Sequence, residues 1–222
     1  ILKGVVYSDF LRAKKIIVAD PSEQARQKLS ELGVYTTANN RDVAGNCEHL
    51  LLAVKPQTLA DVAASIKGLP VEKVITIMAG VKKQKIKDVL FGDDIKVARV
   101  MPNLPCSIGS GMSALDFEDF SDDADDCSFI IDVFETLGAV LSVPESKLNA
   151  VTGISGSGPA YVYMFIDGLI KAGIRQGLTE EEAKMLAVTT VKGGADMVAH
   201  SEDKSLADLI AAVCSKGGTT IQ

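Results

Sequence analysis

The sequence has few of the residues from which disulfide frameworks, zinc sites and histidine-based catalysis are built. Its four cysteines form no Cys-x-x-Cys pair and lie far apart, at Cys47, Cys106, Cys127 and Cys214. Histidine occurs only at His49 and His200. Because zinc sites and disulfide-rich domains need denser spacing, both are disfavoured and no metal is expected. We interpret the cysteines as buried or incidental thiols in a reducing cytoplasm.

Long apolar runs and clusters of positive charge are also missing. The longest apolar runs, such as residues 50–54 and 129–133, are much too short to span a bilayer, and no secretory signal pattern opens the sequence. The formal net charge is −6, so nucleic acid and anionic membranes are not expected as partners. An apolar share of 47% over 222 residues indicates a globular fold of one large or two small domains.

The first two-thirds of the sequence alternates short apolar runs with helical patterns. Strands are predicted at residues 16–19, 49–54, 74–78, 96–101 and 140–143. One helix begins after Pro21-Ser22 and ends at Gly33, and another is predicted at residues 82–90. Strands alternating with helices of this size predict a doubly wound parallel sheet of the α/β class. In such sheets, ligands bind beyond the carboxyl ends of the strands.

The positions that follow these strands are therefore candidate binding residues. They are Asp20, Ala53-Val54-Lys55-Pro56, Ala79-Gly80-Val81 and Met101-Pro102-Asn103. Each alone has a structural explanation, because a proline stops a strand and a glycine turns the chain. The four together favour a nucleotide cleft.

One expected element of a dinucleotide-binding fold is missing from the sequence. A Gly-x-Gly-x-x-Gly turn after a first strand should precede the ribose-binding acidic residue by roughly 20 to 30 residues. Asp20 has the position of that acidic residue, yet residues 1–15 resemble the back half of a helix and a linker. We expect that the first strand and the phosphate-binding turn are missing through truncation, disorder or divergence.

The last third of the sequence is helical and rich in small residues. Residues 151–161 hold three glycines and two serines before Pro159, and predict a close backbone approach followed by a helix start with a cap at Ser155 or Ser157. Thr179 and Glu182 predict a capping box at the start of the next helix. These two helices carry more apolar surface than one small domain buries, which indicates dimerisation through them.

A short helix at residues 206–213 leads into a second glycine-rich segment, Ser215-Lys216-Gly217-Gly218-Thr219-Thr220. Consecutive glycines followed by hydroxyl side chains offer N–H and O–H donors to an anion, above all where a helix follows. A plain turn between helices explains the same pattern about equally well.

Four segments, in their order and spacing, resemble the Δ1-pyrroline-5-carboxylate reductase family, which catalyses the last step of proline biosynthesis. They are residues 53–56, 101–105, 151–161 and 217–220, and the resemblance extends over essentially the whole chain. It implies a Rossmann-like cofactor domain over residues 1–146 and a helical dimerisation and substrate-binding domain over residues 147–222. It also implies NADPH or NADH as cofactor, a small-molecule substrate, and a homodimer that often assembles into a larger ring.

The resemblance implies roles for individual residues. Along the cofactor it places Asn40, Ala53, Val54, Lys55, Pro56, Ala79, Gly80 and Asn103, and the general rule for dinucleotide folds adds Asp20 at the ribose. Ser215, Gly217, Gly218 and Thr219 would hold the substrate carboxylate, and the hydroxyl of Thr220 would meet the ring nitrogen. Hydride transfer to an imine needs positioning and a protonated or hydrogen-bonded nitrogen, so no catalytic histidine or cysteine is required.

The sequence departs from the family pattern at three places and leaves alternatives open. The glycine turn and the last helix of the family are missing, and Lys216 stands where a proline is usual. Asp20 favours NAD, whereas Arg26 or Lys28 would serve the phosphate of NADP. A 3-hydroxy-acid-type dehydrogenase is one alternative, although its Lys-x-x-Asn pair is missing before Lys171. A non-catalytic dimeric binder that has lost cofactor binding is the other.

Overall fold

A computed structural model of the chain describes residues 1–90, 92 and 94–214. The chain divides into two compact units, Ile1–Pro159 and the residues from Ala160 onward. The first unit alternates strands with helices, and the described part of the second is helical. No helix in the described ranges is long and apolar enough to cross a membrane. The functional boundary between residues 146 and 147 stays a prediction.

The helices and strands follow the predicted alternation. The strands are β1 (Ile17–Ala19), β2 (Tyr35–Thr37), β3 (His49–Leu52), β4 (Lys73–Thr76), β5 (Lys96–Pro102), β6 (Gly111–Asp116) and β7 (Gly138–Ser142). The helices are α1 (Leu2–Tyr7), α2 (Glu23–Ser30), α3 (Asn40–Ala44), α4 (Leu59–Ser65), α5 (Lys83–Leu90), α6 (Ala124–Glu135), α7 (Leu148–Val151), α8 (Gly158–Arg175), α9 (Glu180–Ala199) and α10 (Leu206–Val213). The five predicted strands and the helix stop at Gly33, whose φ is +78°, are confirmed. Strands β2 and β6 were not predicted.

The strands form two sheets, and the larger sheet is mixed. Strand β1 pairs with β2 in parallel, and the second sheet has the order β3-β4-β5-β6-β7. Strands β3, β4 and β5 are parallel, with Leu52 opposite Thr76 and Thr76 opposite Arg99. Strand β6 runs antiparallel to β5, and β7 is parallel to β6. The α/β class is confirmed. One strand reverses direction, because β6 follows β5 through the short 3₁₀ turn Leu104–Ile108 and not through a crossover helix.

The central strands of the larger sheet are buried on both faces. Successive side chains of a strand point to opposite faces, so Val74 and Val97 join one apolar cluster while Ile75 and Ala98 join the other. All four are nearly or fully inaccessible to solvent. Burial on both faces explains why β4 and β5 are continuous apolar runs in the sequence.

Six charged side chains form a mostly buried network beside this sheet. They are Lys83, Lys87, Arg99, Asp116, Asp119 and Glu145. Lys83 Nζ lies 2.5 Å from Asp116 Oδ1 and 3.0 Å from Asp119 Oδ1. Lys87 Nζ lies 2.7 Å from Asp119 Oδ2. Three cations therefore face three carboxylates, which offsets the cost of removing these charges from water.

Glu145 connects the network to the backbone of several elements. Its Oε1 accepts hydrogen bonds from the Lys83 backbone N–H at 2.8 Å and from Arg99 Nη1 at 3.1 Å. Its own backbone N–H donates to Asp116 Oδ2 at 2.7 Å. The start of α5, the middle of β5 and the end of β6 are thereby joined to the turn that leads into α7.

The network shifts the pKa values of two members in opposite directions. Burial opposes both shifts. Hydrogen bonds from Lys87 and Lys83 nevertheless lower the pKa of Asp119 below its usual 3.8. Hydrogen bonds to Asp116 and Asp119 raise the pKa of Lys83 above its usual 10.5. The stability from Asp119 is present above pH 3.8 and is lost as the pH falls through its lowered pKa. The stability from Lys83 is present below pH 10.5 and is lost as the pH rises through its raised pKa.

We expect Lys83→Met to lower the free energy of unfolding by about 3 kcal/mol at neutral pH, because it leaves Asp116 buried without a cation. Lys85→Met, at an exposed position of the same helix, should change it by less than about 0.5 kcal/mol. Denaturant unfolding measures both values. The deficit of Lys83→Met should shrink as the pH falls below 3.8 and Asp119 becomes protonated. Equal losses in the two variants would contradict the network's role.

Candidate functional site

The carboxyl ends of β3, β4 and β5 lie at one edge of the larger sheet, because these strands are adjacent and parallel. The predicted cofactor residues follow the three strands directly. Residues 53–56 come after β3, Ala79 and Gly80 come after β4, and Asn103 comes after β5. The sheet therefore brings together three segments that are far apart in the sequence, at the edge where α/β proteins bind ligands.

The backbone after β3 and β4 is accessible. Ala53 and Ala79 are exposed, and the extended Lys55 precedes Pro56, which begins a short 3₁₀ turn. Gly80 has a φ of +74°, and a Cβ there would meet no described heavy atom within 4 Å. Gly80 is therefore required for its conformation, and the space above it is open. Small side chains and open backbone at a strand edge suit an extended dinucleotide, so these residues fit NAD(P)H.

Asn103 makes several hydrogen bonds within the protein. Its Oδ1 accepts from the backbone N–H of Met112 at 3.0 Å and lies 3.8 Å from Cys106 Sγ. Its Nδ2 donates to Ser155 Oγ at 3.3 Å. The side chain thus connects the end of β5 to β6 and to the turn before α8. An amide nitrogen carries two N–H groups, and one of them has no partner among the described residues, which leaves a donor for a ligand.

The glycine- and serine-rich stretch contains a π-helical turn, Thr152–Gly156. Ser157 N–H donates to the carbonyl of Thr152 at 2.8 Å, five residues earlier. A Cβ on Gly156 would lie 2.7 Å from Met101 Cε, so the predicted close approach is confirmed, and the neighbour is β5. Turns of this kind are frequent at functional sites.

The sequence predicted a sharp helix start within residues 151–161, and this prediction is wrong because the chain is helical from α7 through to α8. Helix α7 runs into the π-helical turn, which leads into α8 with Pro159 in its first turn, as predicted. Ser155, a predicted cap residue, accepts the hydrogen bond from Asn103. The glycine spacing did not reveal a π-helical turn, because the same residues are compatible with many tight turns.

Asp20 and Asn40 lie in other parts of the first unit. Asp20 follows β1 and is half-buried, and its Oδ1 accepts from the backbone N–H of Ser22 at 2.8 Å. Asn40 is the first residue of α3, and its Nδ2 donates to Ser65 Oγ at 3.0 Å. The Asn40 amide therefore contributes to the contact between α3 and α4. Its role at the ribose stays a prediction.

The predicted substrate-binding and catalytic residues lie outside the described residues. They are Ser215, Gly217, Gly218, Thr219 and Thr220. The described chain leads to them through α10, whose first turn is closed by a capping box of Ser205 and Asp208.

The helices of the second unit expose a broad apolar surface. The predicted capping box of Thr179 and Glu182 is confirmed at the start of α9. Helix α9 packs on α8 through small residues, since a Cβ on Gly173 would lie 3.1 Å from the Cβ of Ala183. The large apolar side chains that remain exposed include Tyr161, Met164, Phe165, Met185 and Leu186. Apolar surface of this extent marks an association site.

An acidic cluster at the amino ends of β3 and β4 has the spacing of a metal site but already holds a cation. Glu48, His49 and Asp126 lie close together. Lys73 Nζ is 2.8 Å from the carboxylate of Asp126 and 3.3 Å from Glu48. Although burial opposes the shift, hydrogen bonds from Lys73 and His49 lower the pKa of Asp126. Because the ammonium group repels a metal ion, we assign this cluster to folding.

Two protein families match separate parts of the chain. Residues 1–80 match the family described as NADP oxidoreductase, coenzyme F420-dependent. Residues 145–222 match the pyrroline-5-carboxylate reductase dimerisation family. The first match covers β1 to β4, and the second begins at Glu145 and includes the helical unit.

Relatives match over the whole chain. A pyrroline-5-carboxylate reductase from Synechocystis is 37% identical over 100% of this chain and 82% of the relative. One from Aquifex aeolicus is 35% identical over 99% and 81%. The crystal structure of Plasmodium falciparum pyrroline carboxylate reductase with NADP bound has a TM-score of 0.88 at 30% identity, covering 98% of this chain and 80% of that one. A Coxiella burnetii pyrroline-5-carboxylate reductase has a TM-score of 0.87 at 31% identity, covering 100% and 82%.

The bond between Asn103 and Ser155 predicts a coupling between the two side chains. We expect Asn103→Ala to lower the free energy of unfolding by about 1–3 kcal/mol, because it leaves the Met112 N–H without a partner, and Ser155→Ala to lower it by about 1 kcal/mol. The double variant should fall short of the sum by about 0.5 kcal/mol or more, since the shared bond is lost only once. Chemical denaturation of the four proteins measures this; strictly additive losses would show that the bond contributes nothing.

Proposed function

This chain belongs to the pyrroline-5-carboxylate reductase family, and from that premise we propose how its residues divide the family's reaction. The chain is an oxidoreductase that uses NAD(P)H to reduce Δ1-pyrroline-5-carboxylate to L-proline. When bound, the reduced nicotinamide supplies the hydride that adds to the imine carbon of the substrate. The ring nitrogen gains the proton that completes the amine. The protein has to position both molecules and stabilise the polarised nitrogen.

We assign the cofactor site to the edge of the sheet at which β3, β4 and β5 end. We assign Ala53, Val54, Lys55 and Pro56 to the wall of the cofactor channel, with Ala79 and Gly80 beside them. The support is the exposed small side chains and the open space above Gly80. Asn40 is assigned to the adenosine ribose region on the basis of the resemblance alone.

Asn103 has two tasks in this proposal. Its free amide N–H borders the nicotinamide, and its other contacts hold the π-helical turn Thr152–Gly156 close to β5. The support is the bond to Ser155 and the narrow gap between Gly156 and Met101. A side chain fixed by three neighbours presents its remaining donor with little loss of entropy on binding.

The substrate residues are assigned through the resemblance to the family. Ser215 and the backbone N–H groups of Gly217, Gly218 and Thr219 bind the substrate carboxylate, because unsubstituted backbone approaches an anion closely. The Thr220 hydroxyl lies at the ring nitrogen. Its O–H donates to the imine nitrogen, and this hydrogen bond strengthens as the hydride adds and the nitrogen becomes more basic.

The chain forms a homodimer through its dimerisation domain. We place the interface on the exposed apolar faces of α8 and α9, whose side chains need a partner. Further assembly of dimers into a ring is part of the proposal. So is a reducing cytoplasm, supported by cysteines at Cys47, Cys106, Cys127 and Cys214 that are all free thiols.

The decisive experiment follows the absorbance of NADH and NADPH with the full protein and pyrroline-5-carboxylate. We expect a substrate-dependent loss of absorbance and formation of one proline for each reduced cofactor consumed. A parallel assay with 3-hydroxy acids and the oxidised cofactors should show no reaction. No consumption of either reduced cofactor would contradict the proposed function.

Thr220→Ala should lower kcat by about 100-fold while the dimer persists, because removal of one hydroxyl at the reacting nitrogen removes a contact that strengthens in the transition state. Thr220→Ser keeps the hydroxyl and should retain most of the activity. Steady-state kinetics and size-exclusion chromatography measure the two properties. Unchanged turnover in Thr220→Ala would remove this residue from the mechanism.

A further inference from the structure

In the segment after β1, the carboxylate of Asp20 binds the N–H group of Ser22, the residue that precedes α2. Asp20 Oδ1 accepts from the backbone N–H of Ser22 at 2.8 Å. Ser22 is in turn the N-cap of α2, and its Oγ accepts from the N–H of Ala25 at 3.3 Å. Free N–H groups at a helix start are the usual ligands of a phosphate. Here these two donors are already satisfied by side chains of the same turn.

The positive charges of this segment are equally unsuited to a phosphate at the strand exit. Arg26 Nη1 donates to the carbonyls of Asp20 at 2.7 Å and of Pro21 at 3.0 Å, so the guanidinium holds the turn together. Lys28 lies in the last turn of α2, away from its start. The first turn of α2 instead adds a second acid, Glu23. The strand exit is therefore negative, and its arginine is engaged.

We propose that this strand exit selects NADH over NADPH, with Asp20 as the specificity-determining residue; the inference rests on the proposed function. Asp20 Oδ2 has no hydrogen-bond partner among the described residues, so it is available to accept from the hydroxyls of the adenosine ribose. The 2′-phosphate of NADPH carries a charge of about −1.5 to −2 and has no O–H in its dianionic form to donate to the carboxylate. It would meet the like charges of Asp20 and Glu23, while Arg26, the cation of this turn, binds the carbonyls of Asp20 and Pro21 through Nη1.

The structure of one relative of this chain contains NADP. The Plasmodium falciparum structure has NADP bound, and that chain is 30% identical to this one. Membership of the family therefore leaves the cofactor preference open, and the local charges at β1 decide it. The carboxylate of Asp20 is the group on which the inference depends.

The test is equilibrium binding of both reduced dinucleotides to the full protein, followed by the fluorescence of the bound nicotinamide. We expect NADH to bind at least about tenfold more tightly than NADPH. Asp20→Asn keeps an oxygen for the Ser22 N–H but removes the charge, and should reduce the NADH preference at least about tenfold, mainly by improving NADPH binding. Arg26→Ala should not lose NADPH binding selectively, because the Arg26 guanidinium binds the carbonyls of the turn; a selective loss of NADPH binding would assign this side chain to the phosphate and contradict the proposal.

The matched control is Glu31→Gln, which removes the same charge from an exposed position at the other end of α2. It should leave the ratio within about twofold of the original, because screened charges at that distance act weakly. A shift as large as that of Asp20→Asn would overturn the local role of Asp20. Equal or tighter binding of NADPH by the original protein would overturn the selectivity alone, provided that proline still forms. Binding of neither dinucleotide would overturn the proposed function as well.

Discussion

The contact on which the site's geometry depends is the buried ion network around Glu145. This carboxylate accepts from the backbone of Lys83 and from the side chain of Arg99, while its own N–H donates to Asp116. Buried charges are tolerated only when every partner is in place, so the network admits few alternative arrangements of these elements. It joins the sheet to the turn before α7. The position of the π-helical turn opposite Asn103 follows from where α7 begins.

The sequence predicts most of the elements but not the network. Strands β4 and β5 are buried on both faces and are therefore continuous apolar runs, and the capping box of Thr179 and Glu182 depends on neighbouring residues only. The position of Lys83 is a signal that the sequence does contain, because its spacing places it on the same buried face of α5 as Ile86 and Leu90. A lysine at such a position indicates a buried ion pair. Its partners, Asp116 and Asp119, are brought to it by strand register, which depends on long-range packing.

In the candidate site, too, some features can be predicted from the local sequence, whereas others depend on contacts between distant segments. Strand exits can be located once the alternation is recognised, because the carboxyl ends of parallel strands share an edge. The bond from Asn103 to Ser155 spans 52 residues of sequence, and no local pattern announces it. The antiparallel direction of β6 could not be predicted from the sequence either. The prolines at the end of β5 end a strand whether a short 3₁₀ turn or a crossover helix follows. The roles of the glycine-rich segment before Gln222 rest on the resemblance to a family.

The net charge of −6 limits how this chain attracts its anionic ligands. No broad positive field draws in a dinucleotide or a carboxylate, so binding has to come from short-range donors at the places where backbone is exposed. Such donors distinguish between anionic groups of a ligand by position, because a protein carboxylate that accepts from a donor prevents an anion of the ligand from binding there. At Gly80 the small residue leaves open space for a ligand, whereas at β1 the carboxylate of Asp20 already occupies the N–H of Ser22. In the proposed selectivity of this strand exit, a carboxylate in place of a positive charge favours the hydroxyls of a ribose over an additional phosphate.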